Sequence, residues 1–177
     1  MDLRQDSKTF NNLEIAYQGE AGARTKYLYY ASQAKKEGYN KIAQVFEETA
    51  HNENAHAKIW FKLLHGRIPD TRANLMDAIN GEDFEYEDMY ETFSKEAEEE
   101  GYYEIAQLFR EVGKIEKEHS NRFRELLSKM DNFYEKDNIV TWRCMNCGHE
   151  HKSTDAPEMC PVCNHPRPYF EVKNDIF

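Results

Sequence analysis

From residue 42 to 63 the chain repeats apolar positions at alternating steps of four and three. They hold Ile42, Phe46, Thr49, Glu53, His56, Trp60 and Leu63, the spacing of a single stripe along a helix. The same stripe returns 63 positions later as Ile105, Phe109, Val112, Glu116, His119, Phe123 and Leu126. An earlier stripe runs through Leu13, Tyr17, Glu20, Arg24, Tyr27, Ala31 and Ala34, and a further face carries Glu82, Glu85, Met89 and Phe93. These stripes predict helices over about 7–36, 39–65, 82–99 and 102–130, with Gly38 and Gly66 as stops. Across residues 7–129 the only proline is Pro69, and strands are not expected there. The stretch "TRANLMDAIN" reads as one or two helical turns before Gly81. The second and third helices are therefore expected to be joined by a long connection, the topology of a four-helix bundle with one crossover.

Both repeated stripes are apolar except at their centres. The segments 37–56 and 100–119 align without a gap and share ten of twenty residues, including "ENAH" at 53–56 and "EKEH" at 116–119. A lone Glu-x-x-His is more often a solvated ion pair than a site. Two copies in register on apolar stripes are different, because a buried carboxylate must be paired, protonated or bound to a cation. Glu20 interrupts the first stripe in the same way, and Glu82 and Glu85 add two carboxylates on the third helix. One Glu from each of two helices, with Glu-x-x-His from each of the other two, is how a four-helix bundle holds two metal ions. Glu20, Glu53, His56, Glu82, Glu85, Glu116 and His119 are thus the candidate ligands of a dinuclear site. Tyr27, two turns after Glu20, is either a core aromatic or a hydrogen-bond donor to a ligand carboxylate, and Arg24 either pairs with a carboxylate or extends to solvent.

The four cysteines, Cys144, Cys147, Cys160 and Cys163, fall within 20 residues, with twelve residues between the two Cys-x-x-Cys pairs. That spacing predicts a tetrathiolate metal site in a small C-terminal module, and by itself it does not choose between iron and zinc. The domains are accordingly placed at 1–137 and 138–177. A formal charge of −10 over 177 residues argues against nucleic acid and anionic membrane surfaces as partners. No apolar run approaches a membrane span, and the N-terminus lacks the basic start and apolar stretch of a signal peptide, so a cytoplasmic location is expected.

Taken together, Glu20, "ENAH", "GEDFE", "EGYYEIAQLF", "EKEH" and the cysteine module over 142–170 resemble the rubrerythrin family, along essentially the whole chain. The resemblance implies a mainly α fold, a ferritin-like di-iron bundle followed by a small rubredoxin-like domain of strands and loops. It implies two non-haem irons bridged by Glu53 and Glu116, with terminal ligands Glu20 and Glu82. His119 would bind one iron, and the other would exchange Glu85 for His56 on reduction. It also implies a third iron in the four-cysteine site, a homodimer, and reduction of hydrogen peroxide to water as protection against oxidative stress. Electrons would come from a nicotinamide nucleotide through a separate reductase or rubredoxin-type donor. The competing reading is a ferroxidase or iron-storage protein, favoured if the four-cysteine site holds zinc.

Overall fold

A computed structural model describes residues 4–173. The chain is mainly helical, with a small C-terminal sheet, and it divides into two compact units that meet at the step from Asp70 to Thr71.

The first unit is a helical hairpin of α1 (Lys8–Lys36) and α2 (Asn40–His65). Ser7 starts α1 by accepting a hydrogen bond on its hydroxyl from the Phe10 backbone N–H at 3.1 Å, satisfying a donor that the first turn leaves open. The turn into α2 depends on Gly38, whose φ of 84° few side chains tolerate. There the Tyr39 N–H donates to the Ala34 carbonyl at 2.8 Å.

The second unit repeats that hairpin. It contains α3 (Thr71–Phe84), a π-helical turn (Glu85–Met89), α4 (Tyr90–Glu99) and α5 (Tyr103–Ser128). The turn is the same one: Gly101 also has φ 84°, and Tyr102 N–H donates to the Ala97 carbonyl at 2.7 Å.

The third helix starts at Thr71, not near Glu82 as its apolar face suggested, so the connection from α2 is residues 66–70 and not the long crossover expected. The physical reason lies in "TRANLMDAIN", which contains no breaker, and Gly81 is carried inside the helix. The stretch is in fact a copy of the start of α1. Asn12, Leu13, Ala16, Gly19 and Glu20 recur as Asn74, Leu75, Ala78, Gly81 and Glu82, shifted by 62. Beyond the π-helical turn the shift becomes 63, as in Tyr27 with Tyr90, Ala34 with Ala97 and Gly38 with Gly101. The wider turn absorbs one inserted residue.

Small residues set the helix contact in each hairpin. Ala43, Ala50 and Ala57 are buried on α2, and Ala106, Gly113 and Ser120 are buried at the matching positions of α5. A small residue at every seventh position lets two helix backbones approach closely. A Cβ built on Gly113 would lie 3.2 Å from the Tyr90 Cβ. The stripes expected to face a core are therefore not the seams of these hairpins. Ile42 and Leu63 on α2, with Ile105 and Leu126 on α5, remain 39–50% exposed.

The C-terminal sheet is antiparallel in the order β2-β1-β3, formed by β1 (Glu135–Cys144), β2 (Glu150–Asp155) and β3 (Phe170–Val172). Trp142 pairs with His151 on one side and Val172 on the other. Its ring fills a core with Cys144, Ala156, Cys160 and Phe170. None of the described helices is long and apolar enough to cross a membrane.

The alanine and glycine seam makes a contrast between two substitutions. Gly113→Val pushes two branched carbons into Tyr90 and is expected to cost about 1–3 kcal/mol, read as a lower urea midpoint. Gly22→Ala, with nothing within 4 Å of its built Cβ, is expected to add about 0.5–1 kcal/mol of stability and so raise the midpoint.

Candidate metal centres

The first unit brings together Glu20 from α1 with Glu53 and His56 from α2, one ligand atom of each lying within 4.8 Å of the others. Glu53 and His56 are one helical turn apart, so their side chains share a face. His56 Nδ1 sits 2.9 Å from Glu53 Oε2 and 3.8 Å from Glu20 Oε1. Tyr27, Tyr30 and Phe46 pack together in the same hairpin, with ring centroids 5.5 Å apart for Tyr30 and Phe46 and 6.1 Å for Tyr27 and Phe46.

The second unit builds the counterpart from Glu82 on α3 with Glu116 and His119 on α5, again within 4.8 Å. His119 Nδ1 lies 2.7 Å from Glu116 Oε2 and 3.5 Å from Glu82 Oε2. Its aromatic set is Tyr90, Phe93 and Phe109, with Phe93 and Phe109 centroids 5.6 Å apart. These three stand at the positions of Tyr27, Tyr30 and Phe46 shifted by 63.

Glu85 opens the π-helical turn beside this cluster. Burial pushes its carboxyl above the usual range, and the charges of Glu116 and Glu82 push the same way against the opposing pull of His119. Burial also raises the Tyr90 phenol, followed by the charges of Glu85 and Glu116, so it stays protonated. Next to Glu82, Asp83 accepts a hydrogen bond from the Ser120 hydroxyl at 2.5 Å and pairs with Arg124. The Ser120 bond and Arg124 hold Asp83 below its ordinary range despite partial burial. This link ties α3 to α5 one residue from a candidate ligand.

Each trio offers two carboxylates and one imidazole, donors suited to iron, manganese or zinc. Three donors from one unit leave coordination positions open, as a reactive rather than structural site requires.

The cysteine cage is built from two copies of one turn. Cys144 N–H donates to the His149 carbonyl and Cys160 N–H to the His165 carbonyl, both at 2.8 Å. Positive φ at Gly148 (76°) and Asn164 (57°) folds each turn back. The Sγ atoms of Cys144 and Cys163 are 3.7 Å apart and those of Cys147 and Cys160 3.6 Å. A tetrahedron with metal–sulfur bonds of about 2.3 Å has edges of about 3.75 Å, so these two pairs already have the spacing of a tetrathiolate, and all four ligand atoms lie within 4.8 Å of one another. All four are free of disulfides.

Their protonation fits the same reading. The His149 backbone pulls the Cys147 thiol down, but contacts with Cys163, Cys160 and Cys144 and burial outweigh it and push it up to about 12. Burial raises Cys163, yet the His165 backbone, Cys147, Asn146 and Cys160 hold it down to about 5. The crowded thiols share charge unevenly, and a bound cation removes the reason for the remaining proton.

Arg24 lines a groove with Tyr17, Asn54 and Lys58. His65 stacks on Phe61 at 4.4 Å, and the His165 Nδ1 contacts the Cys163 carbonyl at 3.2 Å. Sequence reasoning missed Tyr90 and the pairing of Asp83 with Ser120 and Arg124. Tyr90 was detectable as the partner of Tyr27, once the repeat is extended past its one-residue insertion.

Comparison with known proteins covers both parts of the chain. The rubrerythrin family model matches residues 11–127, and the model of the rubrerythrin rubredoxin-like domain matches residues 142–171. Rubrerythrin-1 of Clostridium acetobutylicum is 39% identical over 195 aligned positions, covering 100% of each chain. The rubrerythrin of Porphyromonas gingivalis is 43% identical, covering 93% of this chain and 90% of its own. That of Nitratidesulfovibrio vulgaris is 41% identical, covering 97% of each.

The separation of helical and cysteine donors gives a direct test. Glu53→Ala or Glu116→Ala is expected to abolish metal binding at the helical ligands while the four-cysteine site keeps its thiolate-to-metal absorption. Metal analysis beside the spectrum reads both, and a variant that keeps its full helical complement contradicts the ligand role.

Proposed function

The chain belongs to the rubrerythrin family, and on that footing we propose that it is a non-haem di-iron peroxidase that reduces hydrogen peroxide to water. The observation that carries this reading is the presence, on one chain, of two Glu-Glu-His trios and a preformed cage of four thiols. In this reading Glu53 and Glu116 would be shared by two irons, and Glu20 and Glu82 would each hold one of them. His119 would hold one iron, and Glu85 and His56 would alternate as donors to the other. Two ferrous ions held there would supply both electrons for cleaving the O–O bond, without release of hydroxyl radical.

The chain's own groups hold and orient. The phenol of Tyr90, kept protonated beside Glu85 and Glu116, can donate a hydrogen bond to an oxygen placed among those carboxylates. Asp83, held by Ser120 and Arg124, fixes the turn that carries Glu82. The four-cysteine cage, loaded with iron, is suited to relaying single electrons, because a tetrathiolate iron changes charge with little rearrangement. A separate NAD(P)H-linked reductase or a rubredoxin-type protein would feed it, in the cytoplasm, as protection against oxidative stress. A storage or ferroxidase protein would use the carboxylates but has no need of the thiol cage.

Anaerobic iron loading followed by one equivalent of hydrogen peroxide tests this. Thiolate-to-iron bands that bleach on reduction and return rapidly with peroxide are expected. Fast reoxidation by dioxygen but not by peroxide, or zinc in the cage of protein from iron-replete cells, would favour iron oxidation and storage instead. Cys160→Ser should stop steady-state turnover yet spare one turnover of a chemically prereduced protein. Unchanged steady-state turnover in that variant refutes the relay.

A further inference from the structure

We propose that the groove between α1 and α2 is a binding site for a small organic carboxylate with a flat apolar body, held by Arg24 and Lys58 beside the rings of Tyr17 and Phe61. The site lies outside the candidate metal centres and does not depend on what they hold.

Tyr17, Ala21, Arg24, Asn54, Lys58 and Phe61 line a groove of about 410 Å³, within the size range of small-molecule sites. The Tyr17 and Phe61 rings form its apolar wall, with centroids 5.9 Å apart and planes tilted by 55°. Each candidate metal ligand of this hairpin is followed by a groove residue, Glu20 by Ala21, Glu53 by Asn54 and His56 by Ala57. One residue turns about 100° around a helix, so the groove and the trio occupy adjoining but different faces.

The positive charge in the groove is unanswered. Among the described residues neither Arg24 nor Lys58 makes an ion pair or a side-chain hydrogen bond. Glu47, which lines the adjoining groove with Arg24 and Asn54, is held by Lys35 instead. In a chain with a formal charge of −10, carboxylates are plentiful, yet none is given to these two cations.

The second hairpin shows what the first one lacks. Ala21, Ala57 and Phe61 correspond to Asp83, Ser120 and Arg124, at the shifts of 62 and 63 that relate the two halves. There Asp83 accepts a hydrogen bond from Ser120 at 2.5 Å and pairs with Arg124, so the chain supplies its own carboxylate. In the first hairpin the same three positions carry no charge and no polar side chain, and two cations stand beside the opening. A carboxylate arriving from solution takes the part that Asp83 plays in the other half. The Arg24 guanidinium matches its two oxygens, and the Asn54 amide offers a further donor. A flat apolar body then covers the Tyr17 and Phe61 rings. Inorganic phosphate satisfies the cations and leaves the rings bare, and a neutral ring does the reverse.

Titration calorimetry of the full-length, metal-loaded protein with benzoate at low salt tests the site, with benzamide and inorganic phosphate as comparison ligands. Benzoate is expected to bind about tenfold more tightly than either of them. Arg24→Gln and Lys58→Gln, both on exposed residues, are each expected to weaken benzoate binding, by about tenfold for Arg24→Gln. Ala21→Asp, which ties the missing carboxylate to the helix, is expected to abolish it. Lys26→Gln, exposed and outside the groove, is expected to leave it unchanged. Benzoate that binds Arg24→Gln and Lys58→Gln as tightly as the wild type sits on a metal or elsewhere on the surface, and overturns the proposal. Benzamide or phosphate binding as tightly as benzoate overturns it too, the first by showing an apolar pocket and the second a bare anion site. A wild-type protein that takes up no benzoate overturns it outright.

Discussion

Carboxylates held on apolar helix faces cannot stay charged and uncompensated, and the helical part of this protein is organised around that constraint. Glu20 and Glu53 converge on His56, and Glu82 and Glu116 on His119. An imidazole alone is a weak answer to two carboxylates, and the carboxyl of Glu85 is raised first by burial and then by the charges of Glu116 and Glu82. A divalent or trivalent cation removes it. The seams of Ala43, Ala50 and Ala57, and of Ala106, Gly113 and Ser120, serve this arrangement by pulling each pair of helices close enough for ligands on different helices to meet.

The two halves are near copies but not chemical equals. Up to Glu82 the second hairpin follows the first at a shift of 62, and from Tyr90 onward at 63. The π-helical turn between them both absorbs the extra residue and begins at Glu85. The positions of α1 that correspond to Glu85 hold Gly22 or Ala23, neither of which can ligate. One insertion therefore gives one half an additional carboxylate and makes the two clusters unequal.

Much of this was legible in the sequence because the signals were local and periodic. The Glu-x-x-His pairs declared themselves as polar interruptions of apolar stripes, and the cysteine spacing specified a cage whose sulfurs are 3.6–3.7 Å apart. The start of α3 was not legible in the same way. The repeat holds a single shift only from Tyr90 onward, so the shift that matches 37–56 to 100–119 does not reach the copy of α1. Gly81 then looked like a boundary, although its counterpart Gly19 sits inside a long helix. Nor did the stripes reveal which face each hairpin buries. Alanine carries little hydrophobic contrast, so a seam of Ala43, Ala50 and Ala57 is nearly silent in a pattern dominated by Ile42, Phe46, Trp60 and Leu63.

That silence has a physical counterpart. A seam of small residues gives each hairpin close packing but little apolar burial, worth on the order of 25 cal/mol for each Å² covered. Several large side chains, Ile42, Val45, Ile59 and Leu63 among them, stay half-exposed. A hairpin is thus a poor stable unit and a good half of one. Within each hairpin the ligands share a stripe with Ile42 and Leu63 or with Ile105 and Leu126, so whatever covers the hydrocarbon of that stripe covers the ligands as well. Stability and chemistry are coupled through one surface, which makes metal loss and loss of helix association expected to occur together rather than in sequence.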